Sequence, residues 1–208
     1  MTRSEILSGG FADPVMQSQS VFRMLMDGMA RPGTIQSVGT DTGQPEPLGA
    51  AAGAIALTLC DHETPVWLSA ALSASPVGDW LGFHTGAPLT KEKAEARFAL
   101  LEKGAMPSST RLFSLGMQEY PDRSTTLLLE VAALADDAGR GSHFSLSGPG
   151  ILQSRNVWID GLPESFDRLW VDNRALFPRG IDLVLTAGAQ FLCLPRTTRF
   201  AAGQNTGE

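Results

Sequence analysis

The sequence predicts an α/β fold, a single layered domain with a mixed central sheet flanked by helices. Helical patterns alternate with short apolar strands early in the chain, whereas strand patterns cluster later. The composition, 43% hydrophobic and 18% charged residues, is typical of a globular protein with a substantial core. Neither of two polar loops changes the composition enough to mark a domain boundary, so residues 1–208 are predicted to form one domain.

Two helices are predicted in the first third of the chain. The first has Asp13 as its N-cap and Pro14 as its first helical residue. It ends at Arg31-Pro32-Gly33, because the residue before a proline is forced out of the helical region. The second helix follows Pro47 and covers residues 48–60, whose many alanines favour a helix that packs closely.

Most of the remaining elements are predicted to be short strands. These strands cover residues 34–38, 66–68, 97–101, 125–131, 143–146 and 157–159. A further helix is predicted over residues 163–177, with Glu164 and Asp167 in its first turn, where the helix dipole favours acidic side chains. Residues 76–83 fit either a helix or a strand.

The best-defined stretch is a β-hairpin near the C-terminus. Residues 181–186 alternate with a period of two, and residues 187–190 contain a glycine and predict a tight turn. Residues 191–194 form the returning strand, which Pro195 ends because it has no backbone N–H to donate. Residues 200–208 are expected to form a flexible tail.

Four arginines flank this hairpin: Arg174, Arg179, Arg196 and Arg199. Closing the hairpin brings its two arginine-bearing ends together. Their guanidinium groups, with the hydroxyls of Thr197 and Thr198, could then hold a carboxylate or a phosphate. The alternative is that the arginines form ordinary surface ion pairs, which contribute little to stability. The candidate acidic partners are Asp167, Asp172 and Asp182.

Charge and reactive side chains argue against several classes of function. The net charge is −6 and no basic run occurs, so nucleic acid is not an expected partner. No lysine follows Lys103, which excludes a Schiff-base lysine in the C-terminal half. The three histidines lack metal-ligand spacing, so no metal is expected. The longest apolar run, residues 48–60, is too short to span a membrane.

The cysteines and the N-terminus indicate the compartment. Cys60 and Cys193 lie in apolar stretches and are predicted to be small core residues rather than a disulfide framework. Residues 1–5 lack the basic start and apolar core of a signal peptide. A reducing cytoplasm is therefore the expected location.

Motifs for autonomous catalysis are absent from the sequence. Neither a Gly-x-Ser-x-Gly elbow nor a Walker-type loop occurs, although a triad built from His143 and distant residues stays open. Residues 147–150, Ser-Gly-Pro-Gly, could present backbone N–H groups to an anion or form a plain glycine-rich turn. The pattern suits a subunit of a larger assembly.

Six blocks of sequence, in order along most of the chain, resemble one known family. They are GFADP at 10–14, QSVFR at 19–23, MARPGTI at 29–35, SGPGI at 147–151, FPRGID at 177–182 and LPRTTR at 194–199. Each block is weak alone, but together they are specific. The chain resembles the H subunit of the bacterial carbon–phosphorus lyase system.

The resemblance implies a role in the catabolism of organic phosphonates when phosphate is scarce. Members of this family act with the G, I and J subunits in a core complex. With G and I, the H subunit supports transfer of methylphosphonate to ribose C1 of a nucleoside triphosphate, which releases the base. The product is α-D-ribose 1-methylphosphonate 5-triphosphate, whose carbon–phosphorus bond the J subunit cleaves by radical chemistry with an iron–sulfur cluster. This chain lacks the group of cysteines needed to bind such a cluster.

The resemblance also implies a fold similar to that of pyridoxal-phosphate-dependent transferases, without that cofactor, and a homodimer when the chain is isolated. It gives no catalytic residue. The residues it suggests for anion or substrate binding, partner docking or the fold itself are Arg31, Arg179, Arg196, Arg199, Thr197 and Thr198. Two alternatives stay open: a non-catalytic structural adaptor of the same complex, and a stand-alone anion-binding α/β protein.

Overall fold

The structure is a computed structural model that describes residues 8–39, 42–105, 107–138 and 140–203. Residues 1–5, expected to carry no signal peptide, and residues 204–208 of the expected tail lie outside the described residues. The helices are α1 (Pro14–Ala30), α2 (Ala50–Leu59), α3 (Ala70–Ser73), α4 (Val77–Thr85) and α5 (Phe166–Arg174). Single 3₁₀ turns cover Lys93–Glu95, Thr110–Leu112 and Pro121–Arg123.

The strands form two sheets. The strands are β1 (Ile35–Ser37), β2 (Val66–Leu68), β3 (Phe98–Leu101), β4 (Thr126–Glu130), β5 (Ala133–Ala135), β6 (Ser142–Ser147), β7 (Arg155–Asp160), β8 (Asp182–Ala187), β9 (Gln190–Leu194) and β10 (Arg199–Ala202). One sheet has the order β1-β9-β8-β4-β3-β2 and the other has the order β10-β6-β7-β5.

The six-stranded sheet is mixed, as the sequence predicts. Strands β2, β3, β4 and β8 pair in parallel, whereas β9 and β1 continue the sheet antiparallel. The predicted hairpin is confirmed as β8 and β9, with Leu185 opposite Leu192 and Gly188 in the turn at φ +57°. The α/β fold class is therefore confirmed, and the ambiguous segment 76–83 belongs to the helix α4.

Both faces of the six-stranded sheet are buried, which places it between two layers. Alternate residues such as Leu128 and Val184 face α1, α2, α3 and α4 in one hydrophobic cluster. The intervening residues, such as Leu129 and Leu185, face the second sheet and α5 in another cluster. A sheet covered on both faces explains why three successive residues of β4, 127–129, are all leucine.

The four-stranded sheet corrects one expectation. Strand β5 covers residues 133–135, to which the sequence assigned no element, and β10 occupies the start of the expected flexible tail. In β10, Phe200 pairs with Leu146 of β6, and its ring lies 4.3 Å from the ring of Phe144 and 4.9 Å from that of Phe166. The ladder and this aromatic cluster order residues 199–202, so the tail expectation is wrong for 200–202.

Close packing between α1 and β9 depends on one glycine. A Cβ atom added at Gly28 would lie 2.9 Å from Sγ of Cys193, too close for any neighbour that cannot move.

Cys60 and Cys193 are both buried and free, as predicted, and burial raises the pKa of each thiol to about 12. Thiols with such pKa values carry almost no thiolate near neutral pH, so neither is a nucleophile.

The lengths and compositions of the described helices can be compared with those of helices that cross a membrane. None of the described helices combines the length and the apolar character that a membrane crossing requires.

Candidate functional site

Three chain segments converge on one cavity of about 310 Å³, which we call the arginine pocket. The turn between β6 and β7, the C-terminal end of α5 and the connection between β9 and β10 each supply part of its wall. The lining residues are Gly148, Pro149, Arg174, Phe177, Arg196, Thr197 and Arg199. Segments that the sequence places far apart therefore form one site.

Glycines allow the β6–β7 turn to lie against the β9–β10 connection. Gly148 has φ +133°, a conformation that disfavours other residues, and a Cβ atom there would lie 3.1 Å from the carbonyl oxygen of Thr197. The turn is closed by a hydrogen bond of 3.1 Å that the Ile151 N–H donates to the Gly148 carbonyl. The motif at 147–150 is thus a glycine-dependent turn, and it borders the cavity.

The end of α5 is held in place by buried hydrogen bonds. Asn173 donates through Nδ2 to the Ile181 carbonyl and accepts from the Ile181 N–H, each at 2.9 Å. Nε1 of Trp170 donates to the Thr198 carbonyl at 2.9 Å. These bonds join α5 to both flanks of the hairpin and fix the position of Arg174, the last residue of the helix.

Arg196 is the most highly bonded side chain at the site. Nε donates to Asp182 at 3.1 Å, Nη1 donates to the Pro121 carbonyl at 2.8 Å, and Nη2 donates to the Ser124 hydroxyl at 2.6 Å. Nη2 also pairs with the Asp182 carboxylate, and Nη1 reaches the Pro178 carbonyl at 3.3 Å. The side chain is only 11% exposed. Arg196 therefore pairs with Asp182, one of the acidic partners considered above, but the pair is largely buried and not an ordinary surface pair.

The other residues predicted for the site divide into two groups. Arg199 and Thr197 line the arginine pocket. Arg31, Arg179 and Thr198 do not: Arg31 pairs with Asp27 of its own helix, Arg179 is exposed outside the cavity, and Thr198 is completely buried. A role for Arg31, Arg179 and Thr198 in partner docking or in the fold stays a prediction.

Phe177 is the site residue for which sequence reasoning proposes no role in binding. Arg174 is one of the four arginines that flank the hairpin in sequence, but it is not among the residues that the family resemblance suggests. Arg174 lies in the last turn of α5, about one turn before the chain enters the hairpin at residues 178–180, and this position was the available signal.

The charges in the arginine pocket are only partly balanced. Asp182 compensates Arg196, whereas neither Arg174 nor Arg199 forms an ion pair with any residue that the structure describes. Nε of Arg174 is buried without a hydrogen-bond partner in the described part of the chain. Because no described acidic side chain lines the cavity, two guanidinium charges face it uncompensated.

The carboxyl ends of the parallel strands are a second location at which α/β proteins often bind ligands. There, Glu130 accepts a hydrogen bond of 2.9 Å from the Gly188 N–H and another from the Thr186 hydroxyl. Glu102 accepts from the Ala71 N–H at 3.3 Å. The cavity beside these carboxylates measures only about 10 Å³, so this edge is filled. Glu130 joins β4 to the β8–β9 hairpin, and Glu102 joins the end of β3 to α3.

Metal binding finds no support in the described residues, where no group of three or more His, Cys, Asp or Glu side chains is placed to hold an ion.

The fold and the pocket together define a class, an α/β protein with a small, positively charged cavity suited to an anion. The chain belongs to the family described as bacterial phosphonate metabolism protein (PhnH), whose model matches residues 9–201. The family resemblance seen in the six sequence blocks is thereby confirmed.

Two curated relatives agree with this assignment. The chain is 57% identical, over 197 residues, to the alpha-D-ribose 1-methylphosphonate 5-triphosphate synthase subunit PhnH of Rhizobium meliloti (strain 1021), and the match covers 95% of this chain and 96% of the relative. It is 31% identical, over 103 residues and 50% of each chain, to the putative C-P lyase subunit protein HtxG of Stutzerimonas stutzeri.

Proposed function

We propose that this chain is a subunit of α-D-ribose 1-methylphosphonate 5-triphosphate synthase and acts in the catabolism of organic phosphonates. The observation that carries the proposal is the 57% identity, over nearly the full length of both chains, to the relative that bears this name. The absence of an autonomous catalytic motif from the sequence supports a role within a complex.

We propose that the partners are the G, I and J subunits of the carbon–phosphorus lyase complex, in the cytoplasm. With G and I, the chain supports formation of α-D-ribose 1-methylphosphonate 5-triphosphate from a nucleoside triphosphate and methylphosphonate. Two free, buried cysteines support a reducing compartment. The likeness of the fold to pyridoxal-phosphate-dependent transferases stays a prediction, and no cofactor is proposed.

We propose a homodimer for the isolated chain. The support is apolar surface on α1, where Val15, Met16, Phe22 and Met26 are each about half exposed or more. Such a concentration of exposed apolar side chains on one helix is typical of a surface that another protein chain covers. The occupant we propose in the isolated state is a second copy of this chain.

Co-purification tests the proposed assembly. The tagged chain is co-expressed with G, I and J from the same organism, and light scattering measures the mass that elutes. We expect one stable complex containing all four subunits, and, for the chain alone, twice its own mass of 22.1 kDa. A lone monomer in both experiments would contradict the proposal.

The arginine pocket also favours a second candidate, a stand-alone anion-binding α/β protein. Anion binding by a chain that never joins the G, I and J subunits would support that candidate. A structural adaptor, the remaining alternative, predicts that no substitution on this chain lowers synthase activity while the complex still assembles.

A further inference from the structure

We propose that the arginine pocket binds the phosphate or phosphonate group of a ligand, with Arg174 and Arg199 as the anion-binding side chains. Arg196 acts as a positioning residue, because its guanidinium is already committed to Asp182 and its neighbours. The choice of phosphonate and triphosphate as physiological ligands rests on the proposed function. The binding of a phosphate-type anion does not, since it follows from the pocket itself.

Charge is the first argument for this ligand class. Two uncompensated guanidinium groups face a cavity without described acidic lining, and such a cavity attracts negative charge. A carboxylate carries one charge, whereas a phosphate or phosphonate near neutral pH carries between one and two. The two free charges of the pocket therefore match a phosphate-type dianion better than a single carboxylate.

Hydrogen-bonding capacity is the second argument. Each guanidinium presents a planar set of donors that suits the oxygens of a phosphate, and Thr197 adds a hydroxyl to the same wall. The buried, unpartnered Nε of Arg174 is a donor that lacks an acceptor among the described residues. Buried donors are normally satisfied, so an acceptor from a ligand or water is expected near this side chain.

Shape is the third argument. At about 310 Å³, the cavity is at the lower end of the range for small-molecule sites, which suits a phosphate-type group rather than a large ligand. Pro149 and Phe177 supply apolar wall beside the arginines. Arg174 is partly buried, so its attraction for an anion is screened less than that of a fully exposed arginine.

Direct binding to the isolated, full-length chain tests the proposal. Calorimetry measures the dissociation constants of inorganic phosphate, methylphosphonate and tripolyphosphate, with acetate as the single-charge comparison. The variants are Arg174→Gln and Arg199→Gln, and the matched control is Arg179→Gln, an exposed arginine outside the cavity.

We expect the phosphate-type anions to bind more tightly than acetate. Each pocket substitution should weaken their binding by about tenfold to a hundredfold, the loss expected when one charge-assisted hydrogen bond is removed. The Arg179→Gln control should change it by less than about twofold, since an exposed charge outside the site is screened by salt. Tighter binding of methylphosphonate would indicate that the pocket receives the phosphonate group, and tighter binding of tripolyphosphate would indicate that it receives the triphosphate of the nucleotide.

Two results would overturn the proposal. Equal weakening by Arg179→Gln and by the pocket variants would mean that only the general surface charge attracts the anion. Unchanged anion binding in the pocket variants, combined with loss of co-purification with G, I and J, would mean that the arginines dock a partner. Failure of anion binding would leave the proposed subunit role intact, because co-purification measures that role separately.

Discussion

Replacement of Arg196 by alanine should lower the free energy of unfolding by about 3 kcal/mol, the lower end of the range for removing one partner of a buried ion pair. The substitution leaves the Asp182 carboxylate without its cation, and it removes donors from the carbonyls of Pro121 and Pro178 and from the Ser124 hydroxyl. The lower end applies because the two side chains are 11% and 21% exposed, and water partly replaces the lost bonds.

Thermal unfolding followed by circular dichroism measures this effect. For a chain of this size, a loss of about 3 kcal/mol corresponds to a Tm lower by roughly 6–12 °C. Arg179→Ala is the control, and as an exposed residue it should change stability by less than about 0.5 kcal/mol. The double variant with Asp182→Ala should lose less than the sum of the single variants, because both remove the same pair. Equal Tm values for Arg196→Ala and the control would contradict the structural role.

Replacement of Gly150 by alanine should destabilise the chain by about 2–5 kcal/mol, the sum of a backbone contribution and an overpacking contribution. Gly150 has φ +82°, which L-residues with a side chain rarely adopt. A Cβ atom there would overlap the Ala30 carbonyl oxygen and lie 2.9 Å from Cδ of Pro32. The β6–β7 turn would have to move away from the end of α1, and with it Gly148 of the arginine pocket.

Gly104→Ala is the matched control for this substitution. Gly104 has φ +81°, nearly the same backbone conformation, but a Cβ atom there meets no atom within 4 Å. It should therefore lose only the backbone contribution, about 1–2 kcal/mol. Urea unfolding of the two variants measures the difference, which isolates the packing of residues 148–150 against α1. The same loss in both variants would contradict the close contact at Gly150.

The elements that the sequence predicts well are those with a local signal. The hairpin of β8 and β9 is an example, since its period of two, its Gly188 turn and Pro195 all lie within a few residues. Strand β10 lacks such a signal, because Arg199–Ala202 does not alternate and its strand conformation depends on pairing with β6. Nonlocal pairing of this kind cannot be read from four residues.

The same distinction applies to the arginines. In the hairpin, Leu183 lies opposite Leu194. This register brings Asp182 close to Arg196, so the ion pair between these two residues follows once the register is known. The pocket itself depends on how α5 and the β6–β7 turn pack against the hairpin. That packing comes from distant contacts such as Trp170 with Thr198, which no spacing in the sequence indicates.

Synthase activity of the reconstituted complex is the most direct test of the central claim, that this chain is a subunit whose arginine pocket acts on an anionic ligand. The complex of G, I and J with the Arg174→Gln/Arg199→Gln variant is compared with wild type and with Arg179→Gln. We predict full assembly and at least about a tenfold loss in the rate of product formation, as for loss of one charge-assisted contact. Full assembly with an unchanged rate would contradict the claim and favour the structural adaptor.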